Sequence, residues 1–133
     1  MSEELYQQAI KDLAAEASQR LEAPDASATL DNPLCGDTVS LDLRLSQGRV
    51  AALGHGAKGC LLCKAAATVV AQAAVGLEAE TAVALADRVG AMLKQGAEPP
   101  LPALAAFLAV RPHKSRHGCV LLPFKALAKA LGR

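Results

Sequence analysis

The sequence has few aromatic residues, no excess of charge of either sign and no long hydrophobic segment. Tyr6, Phe107 and Phe124 are its only aromatic residues, so the chain offers few surfaces on which nucleic-acid bases could stack. Its 14 basic and 13 acidic side chains nearly balance, so the chain has no large net charge to attract nucleic acid or anionic membranes. The longest apolar run, residues 101–110, has about half the length that crosses a bilayer. We therefore expect no nucleic-acid partner and no membrane-spanning helix.

The N-terminal residues and the length predict a cytoplasmic protein of one domain. Met1-Ser-Glu-Glu-Leu5 is acidic and is not followed by the apolar stretch of a secretory signal. A length of 133 residues is typical of a single domain, here 1–133. Because a reducing compartment keeps thiols free, the four cysteines are expected to be metal ligands or reactive thiols rather than disulfides.

The hydrophobic pattern predicts an α+β fold. Apolar residues spaced by three and four predict a helix over 2–22, and a polar stretch rich in turn residues predicts a loop over 23–33. The alternation from Val39 to Leu45 predicts a strand that turns at 46–48 and pairs with a second strand starting at Val50. A short third strand is expected between Cys35 and Cys60. Further helices are predicted at 60–75, 78–94, 102–109 and 120–131. Strands followed by helices indicate a small antiparallel sheet of two or three strands with about five helices on one face.

Three of the four cysteines lie where a loop meets a predicted element. Cys35 precedes the first predicted strand, Cys60 opens a helix, and Cys119 follows a basic segment, residues 111–117. Helix N-termini and nearby cations favour the thiolate, which is the form that binds metal and attacks sulfur. The spacing matches no zinc-finger pattern, and free cysteines are often small buried side chains. The residues alone therefore leave open whether the three cysteines meet.

Three segments resemble the signature segments of the U-type iron–sulfur cluster assembly scaffolds, the family of IscU, SufU and the N-terminal domain of NifU. They are Asn32-Pro-Leu-Cys-Gly-Asp37, Gly56-Ala-Lys-Gly-Cys60 and Cys119-Val-Leu-Leu-Pro-Phe-Lys-Ala-Leu127. The resemblance implies a SufE/NifU-like fold in which four ligands surround a site for zinc or a transient iron–sulfur cluster. Those ligands are Cys35, Asp37, Cys60 and Cys119. It also implies a cysteine desulfurase of the SufS or IscS type as sulfur donor, and an iron–sulfur carrier or apo-protein as recipient.

Within that family the sequence looks closest to the SufU branch. Gly118 precedes Cys119 where IscU has a histidine, the Leu-Pro-Pro-Val-Lys chaperone signal of IscU is missing, and the interval before Cys119 is long. The SufU resemblance implies an exchangeable zinc and makes Cys35 the sulfur acceptor, whereas the IscU resemblance gives that role to Cys119. Arg116, which also fits SufU, is a candidate contact for the desulfurase, although a basic run such as 111–117 is also typical of a solvated loop.

Three questions remain open at the level of sequence. Cys63 stands where the family normally has serine, and it is interpreted as an inert side chain, an auxiliary ligand or a thiol that resolves a persulfide on Cys60. Asp37 is a weaker partner than thiolate for an iron–sulfur cluster, which suggests a labile site, and it is also a residue that stabilises turns. The protein itself is interpreted as a cluster scaffold, a zinc-dependent sulfurtransferase that holds no cluster, or a protein with a structural zinc.

Overall fold

A computed structural model describes residues 7–132 and confirms the α+β fold. This part of the chain forms one three-stranded sheet, four α-helices and two 3₁₀ helices. The strands are β1 (Ala26–Asn32), β2 (Asp37–Ser46) and β3 (Arg49–Lys58). The α-helices are α1 (Gln8–Ala15), α2 (Leu61–Ala73), α3 (Ala79–Gln95) and α4 (His117–Ala130). The 3₁₀ helices are Pro102–Val110 and Lys114–Arg116.

The sheet is an antiparallel meander in the order β1-β2-β3. Gln47 and Gly48 join β2 to β3 with φ angles of 53° and 77°, as in the type I′ turn that suits a two-residue hairpin. The prediction of a loop over 23–33 was wrong for 26–32, and the third strand lies before Cys35 rather than after it. Apart from Leu30, strand β1 consists of small or polar residues, so its hydrophobic pattern is weak. It forms because it pairs with β2 along its whole length.

One face of the sheet carries the core. Val39, Leu41 and Leu43 on β2 are fully buried, and helices α2 and α4 both contact the sheet. The core is mainly aliphatic, as the composition predicts, with Phe107 and Phe124 as its largest buried side chains. None of the helices within residues 7–132 combines the length and hydropathy that crossing a membrane requires.

A buried carboxylate on the other face prevents the N-terminal helix from extending to residue 22. Asp42 accepts hydrogen bonds from the Arg20 guanidinium and from the backbone N–H of Leu21, and so holds residues 20 and 21 against the sheet. A Cβ atom on Gly54 would lie 2.5 Å from the Leu21 nitrogen, so only glycine admits this crossing. The helix predicted over 2–22 therefore ends at Ala15, and its residues 2–6 lie outside the described part of the chain.

The last helix begins three residues earlier than predicted. Helix α4 starts at His117, so Cys119 lies within its first turn rather than ahead of it. The segment before it, predicted as a helix over 102–109, is the 3₁₀ helix Pro102–Val110. Arg111 anchors the connection, because its Nε donates to the Met92 carbonyl at 2.8 Å and its Nη2 to the Ala97 carbonyl at 2.7 Å.

Candidate metal centre

Cys35 lies in the tight turn between β1 and β2. The carbonyl oxygen of Asn32 accepts hydrogen bonds from the N–H groups of Cys35 and Gly36, at 3.1 and 2.8 Å. Gly36 has a φ angle of 72°, a conformation that side chains other than glycine rarely adopt. The turn leaves Cys35 half-buried and exposes its neighbour Leu34, whose exposed fraction is 94%. Cys35 is thus partly accessible, on a turn held by two backbone hydrogen bonds.

Asp37 joins the start of β2 to the start of α2. It is the first residue of β2 and only 1% exposed, and its Oδ1 accepts the backbone N–H of Cys60 at 2.9 Å. Its Oδ2 lies 3.7 Å from the Cys60 sulfur. Gly59 has a φ angle of 132°, and a Cβ atom at that position would overlap the Asp37 carboxylate. The glycine before Cys60 therefore makes room for the carboxylate, and the Asp37 side chain has a structural role whatever else it binds.

Cys119 reaches the same place from the C-terminal helix. Its Sγ lies 3.1 Å from the Sγ of Cys35, and all four cysteines are free thiols. The ligand atoms of Cys35, Asp37 and Cys119 lie within 4.8 Å of one another, a group able to hold a metal ion. Cys60 is not part of that mutually close group, although its thiol borders both Asp37 and Cys119. The structure thus brings together residues separated by up to 84 positions.

The electrostatics of Cys119 contradict the expectation that basic neighbours acidify it. Burial raises the pKa of this thiol above its usual range, and hydrogen bonds with Cys35 and Asp37 act in the same direction. The reason is its position in the first turn of α4, where its side chain is fully buried among other acidic groups. A divalent cation would reverse this balance, because cysteine binds metal as the thiolate and releases its proton.

The donor set suits zinc. Three cysteine sulfurs and one carboxylate would provide the four donors of a tetrahedral site, and sulfur and carboxylate oxygen are both zinc ligands. Cys35, Asp37 and Cys119 already lie close enough to share one ion, with Cys60 beside them. The residues present therefore fit the group that the resemblance implies.

Cys63 lies in the core rather than in the group of close ligand atoms. Its side chain is fully buried on α2, and burial raises the pKa of its thiol to about 12, with smaller contributions from the charges of Asp37 and Cys60. A thiol with such a pKa is protonated at neutral pH and is a poor nucleophile. This environment favours the interpretation of Cys63 as an inert core residue.

Two residues of the basic segment 111–117 are held by hydrogen bonds to backbone carbonyl groups. His117 is buried, and its Nε2 lies 2.9 Å from the Arg111 carbonyl oxygen and 3.1 Å from that of Val110. Arg111 itself binds the end of α3 through two carbonyl groups. These two residues therefore stabilise the entry to α4. Arg116 is partly exposed, and its contact with a desulfurase stays a prediction.

Sequence reasoning assigned no role to Asn32, which also contacts the site. Its Nδ2 lies 3.7 Å from the Cys35 sulfur. Its position directly before Pro33 and three residues before Cys35 was a usable signal, because asparagine often binds the backbone of a turn that follows it.

Comparison with known proteins shows the family of the chain. The family model described as NifU-like N terminal domain matches residues 5–119. The iron–sulfur cluster assembly scaffold protein IscU of Streptococcus pyogenes serotype M1 is 31% identical over 108 residues, 78% of this chain and 67% of that protein. The zinc-dependent sulfurtransferase SufU of Bacillus subtilis strain 168 is 29% identical over 108 residues, 78% of this chain and 73% of that protein.

Solved structures show the same relationship. The N-terminal NifU-like protein of Brucella abortus superposes with a TM-score of 0.91 at 32% identity, covering 98% of this chain and 94% of that one. A putative SUF-system scaffold protein from Fervidobacterium islandicum AW-1 has a TM-score of 0.89, with 98% and 99% of the two chains covered, and at 23% identity it shows the fold alone. The chain described here thus belongs to the NifU-like N-terminal domain family of iron–sulfur cluster assembly scaffolds.

Proposed function

We propose that this protein accepts sulfur from a cysteine desulfurase for iron–sulfur cluster assembly, at a metal site formed by Cys35, Asp37, Cys60 and Cys119. The supporting observation is the convergence of ligand atoms from Cys35, Asp37 and Cys119 within 4.8 Å, beside the thiol of Cys60. The names of two relatives, a scaffold protein and a zinc-dependent sulfurtransferase, support metal and sulfur handling by such a site.

Cys35 is a better candidate for the sulfur acceptor than Cys119 because it is more accessible. A persulfide on another protein must reach the accepting thiol, and Cys35 is partly exposed whereas Cys119 is fully buried. The Cys35 thiolate attacks the terminal sulfur of the desulfurase persulfide, and a new bond forms between Cys35 Sγ and that sulfur. The bond from the terminal sulfur to the desulfurase cysteine breaks, and its electron pair leaves with that cysteine as a thiolate. The transfer involves no net oxidation.

The same four donors are proposed to hold zinc in the resting protein and an iron–sulfur cluster as cargo. Bound zinc would keep the cysteine ligands deprotonated and hence ready for sulfur chemistry. Among the four donors Asp37 supplies the one oxygen ligand, which binds iron–sulfur clusters less strongly than thiolate does. The recipients of an assembled cluster would be an iron–sulfur carrier or an apo-protein.

A purely structural zinc is the alternative that the fold supports least. One continuous core extends through the sheet and helices, from Ile10 to Ala130, and most of its side chains lie outside the proposed metal site. We therefore expect the protein to stay folded after chelation, whereas a domain with a structural zinc loses its folding energy with the metal. Far-UV circular dichroism before and after dialysis against a chelator tests this.

Mass spectrometry tests sulfur transfer directly. The full chain is mixed with a cysteine desulfurase and cysteine, and persulfides are trapped and located on individual peptides. We expect the label on Cys35 and its loss in Cys35→Ser, while the control Cys63→Ser, which changes a buried cysteine, keeps it. Label on Cys119 alone would contradict the assignment of Cys35 and favour a scaffold of the IscU kind.

Metal analysis of protein purified without added iron distinguishes the two resting states. Stoichiometric zinc together with stimulation of the desulfurase supports the sulfurtransferase activity. A labile iron–sulfur chromophore instead supports a protein whose main task is to hold the cluster.

A further inference from the structure

A surface cavity of about 370 Å³ lies between the C-terminal end of α3 and the start of α4. The described residues that line it are Leu93, Lys94, Arg111, Lys114 and His117, and no proposed metal ligand is among them. Its volume is at the lower end of the range for small-molecule sites. None of these lining residues is acidic, although basic and acidic residues nearly balance in the chain as a whole. The cavity is thus a local concentration of positive charge.

The three cations of the cavity have no carboxylate partner within residues 7–132. The ion pairs of this part of the chain lie elsewhere, on the outer face of the sheet and at the start of β3. Glu98 is the acidic residue closest to Lys94 in the sequence, and it is exposed and pairs with none of the three. Because like charges that are held together repel one another, an anion in the cavity would stabilise the folded chain.

Arg111 is already ordered in the wall of the cavity. Its Nε and Nη2 donate hydrogen bonds to the carbonyl groups of Met92 and Ala97. These bonds occupy carbonyl oxygens at the end of α3, where the helix dipole would otherwise disfavour an anion. Its Nη1 makes no hydrogen bond within the described residues, so a donor is left free on a side chain whose ordering costs little on binding.

His117 adds an acceptor to a wall that otherwise offers donors. Its side chain is 5% exposed, and its Nε2 lies within hydrogen-bond distance of the Val110 and Arg111 carbonyl oxygens, so Nε2 carries the proton of the neutral ring. Nδ1 is then an acceptor, and it has no partner among the described residues. Since no fully buried polar side-chain atom of those residues lacks a partner, solvent reaches Nδ1, and the ring lines the cavity. A hydroxyl group of a ligand could donate to this atom.

We propose that the cavity binds a small phosphate ester that carries a hydroxyl group. A phosphate monoester has up to two negative charges and three terminal oxygens, which complement the two ammonium groups and the free nitrogen of Arg111. A carboxylate would favour a paired edge of the guanidinium, and the edge formed by Nε and Nη2 is occupied by carbonyl groups. The hydroxyl would donate to His117 Nδ1, and Leu93 would contact the carbon skeleton.

The second wall of the cavity also favours a phosphate group. Lys114 is the first residue of a helical run that continues from the second 3₁₀ helix into α4. The N-terminal end of such a run carries partial positive charge, which attracts anions. The proposal uses none of the thiols and no metal, so it is independent of the sulfur transfer proposed above.

Nuclear magnetic resonance locates the binding directly. The ¹⁵N-labelled full chain is titrated with glycerol 3-phosphate, inorganic phosphate and citrate, and the backbone amide shifts are followed. We expect saturable shifts at residues 93–94 and 111–117, with the tightest binding for glycerol 3-phosphate. Inorganic phosphate or citrate binding as tightly would overturn the assignment of a hydroxylated ester. Shifts confined to the surroundings of Cys35 and Cys60, or no saturable shift, would overturn the cavity as the site.

Charge-removing variants test which side chains hold the phosphate. Lys94 and Lys114 are exposed and make no ion pair or side-chain hydrogen bond within residues 7–132, so Lys94→Gln and Lys114→Gln should keep the fold. We expect each to raise the dissociation constant of glycerol 3-phosphate about fivefold, the effect of one lost hydrogen bond. The matched control is Lys129→Gln, which removes the same charge from an exposed position near the end of α4 and should leave the constant unchanged. Equal weakening in the control would show that binding follows net charge alone, and would overturn the proposal.

Discussion

Replacement of Asp42 by asparagine tests how the outer face of the sheet is held together. Asp42 is 2% exposed and accepts hydrogen bonds from Arg20 Nε at 2.5 Å, Arg20 Nη2 at 2.8 Å, Ser27 Oγ at 2.7 Å and the Leu21 N–H at 3.1 Å. Asparagine has the same shape but offers one acceptor oxygen, so its NH₂ group would face a donor. The substitution therefore removes an ion pair and leaves at least one donor of the cluster unsatisfied.

The pKa of Asp42 sets the expected magnitude. The Arg20 hydrogen bonds, with smaller contributions from Ser27 and Leu21, lower this pKa from 3.8 to about 2. Because one pKa unit corresponds to about 1.4 kcal/mol, this drop corresponds to at most about 2.5 kcal/mol of unfolding free energy. The Arg20 side chain is 53% exposed and its charge is screened by solvent, so we expect a loss of about 1.5 kcal/mol.

The pH dependence gives a second check with a definite sign. The folded pKa is depressed, so the stabilisation is fully present above the unfolded pKa of 3.8 and is lost as the pH falls through about 2. Urea unfolding followed by circular dichroism should show wild type and Asp42→Asn about 1.5 kcal/mol apart at neutral pH and converging towards pH 2. The control Asp87→Asn, on the exposed surface of α3, should change stability by less than about 0.5 kcal/mol. An Asp42→Asn variant as stable as this control at neutral pH would refute the reasoning.

Three further predictions concern the site and its surroundings. Asp37→Asn keeps an acceptor for the Cys60 N–H but removes the carboxylate that is expected to make the site labile, so zinc or a cluster should be retained longer. Faster transfer of metal to a chromophoric chelator would contradict the hypothesis that Asp37 makes the site labile. Burial lowers the pKa of His55 below 6.5, so its contribution to stability is present above that pH and lost as the pH falls through the folded pKa. Urea unfolding of His55→Gln between pH 7 and 5 should therefore show a shallower loss of stability than wild type, and an equal slope would count against this cause. Leu34→Ser should slow sulfur uptake from a desulfurase severalfold, because Leu34 is exposed beside Cys35. The control Val75→Ser changes another exposed apolar residue, past the far end of α2 and about 20 Å from Cys60 by helix length, and should not slow uptake. Equal effects of the two substitutions would exclude a specific contact at Leu34.

Local patterns in the sequence were sufficient for most of the regular elements. The alternation of apolar and polar residues over Val39–Leu45 predicts a strand with one buried face. The spacing of apolar residues predicts α2 and α3 to within two residues of their observed ends. Such patterns depend only on neighbouring residues. Strand β1 and the early end of α1 depend on pairing with β2 and on the contact of Asp42 with Leu21, which no local pattern records.

The sequence by itself also indicated the family and singled out Cys35, Asp37, Cys60 and Cys119, because three short motifs contain them. Only the tertiary structure decided how they meet. Three features join distant parts of the chain. They are the 3.1 Å distance between the sulfurs of Cys35 and Cys119, the burial that raises the pKa of Cys119, and the contact of the Asn32 amide with Gly118. Distances of this kind are set by the packing of α4 on the sheet, and residue spacing along the chain does not contain them.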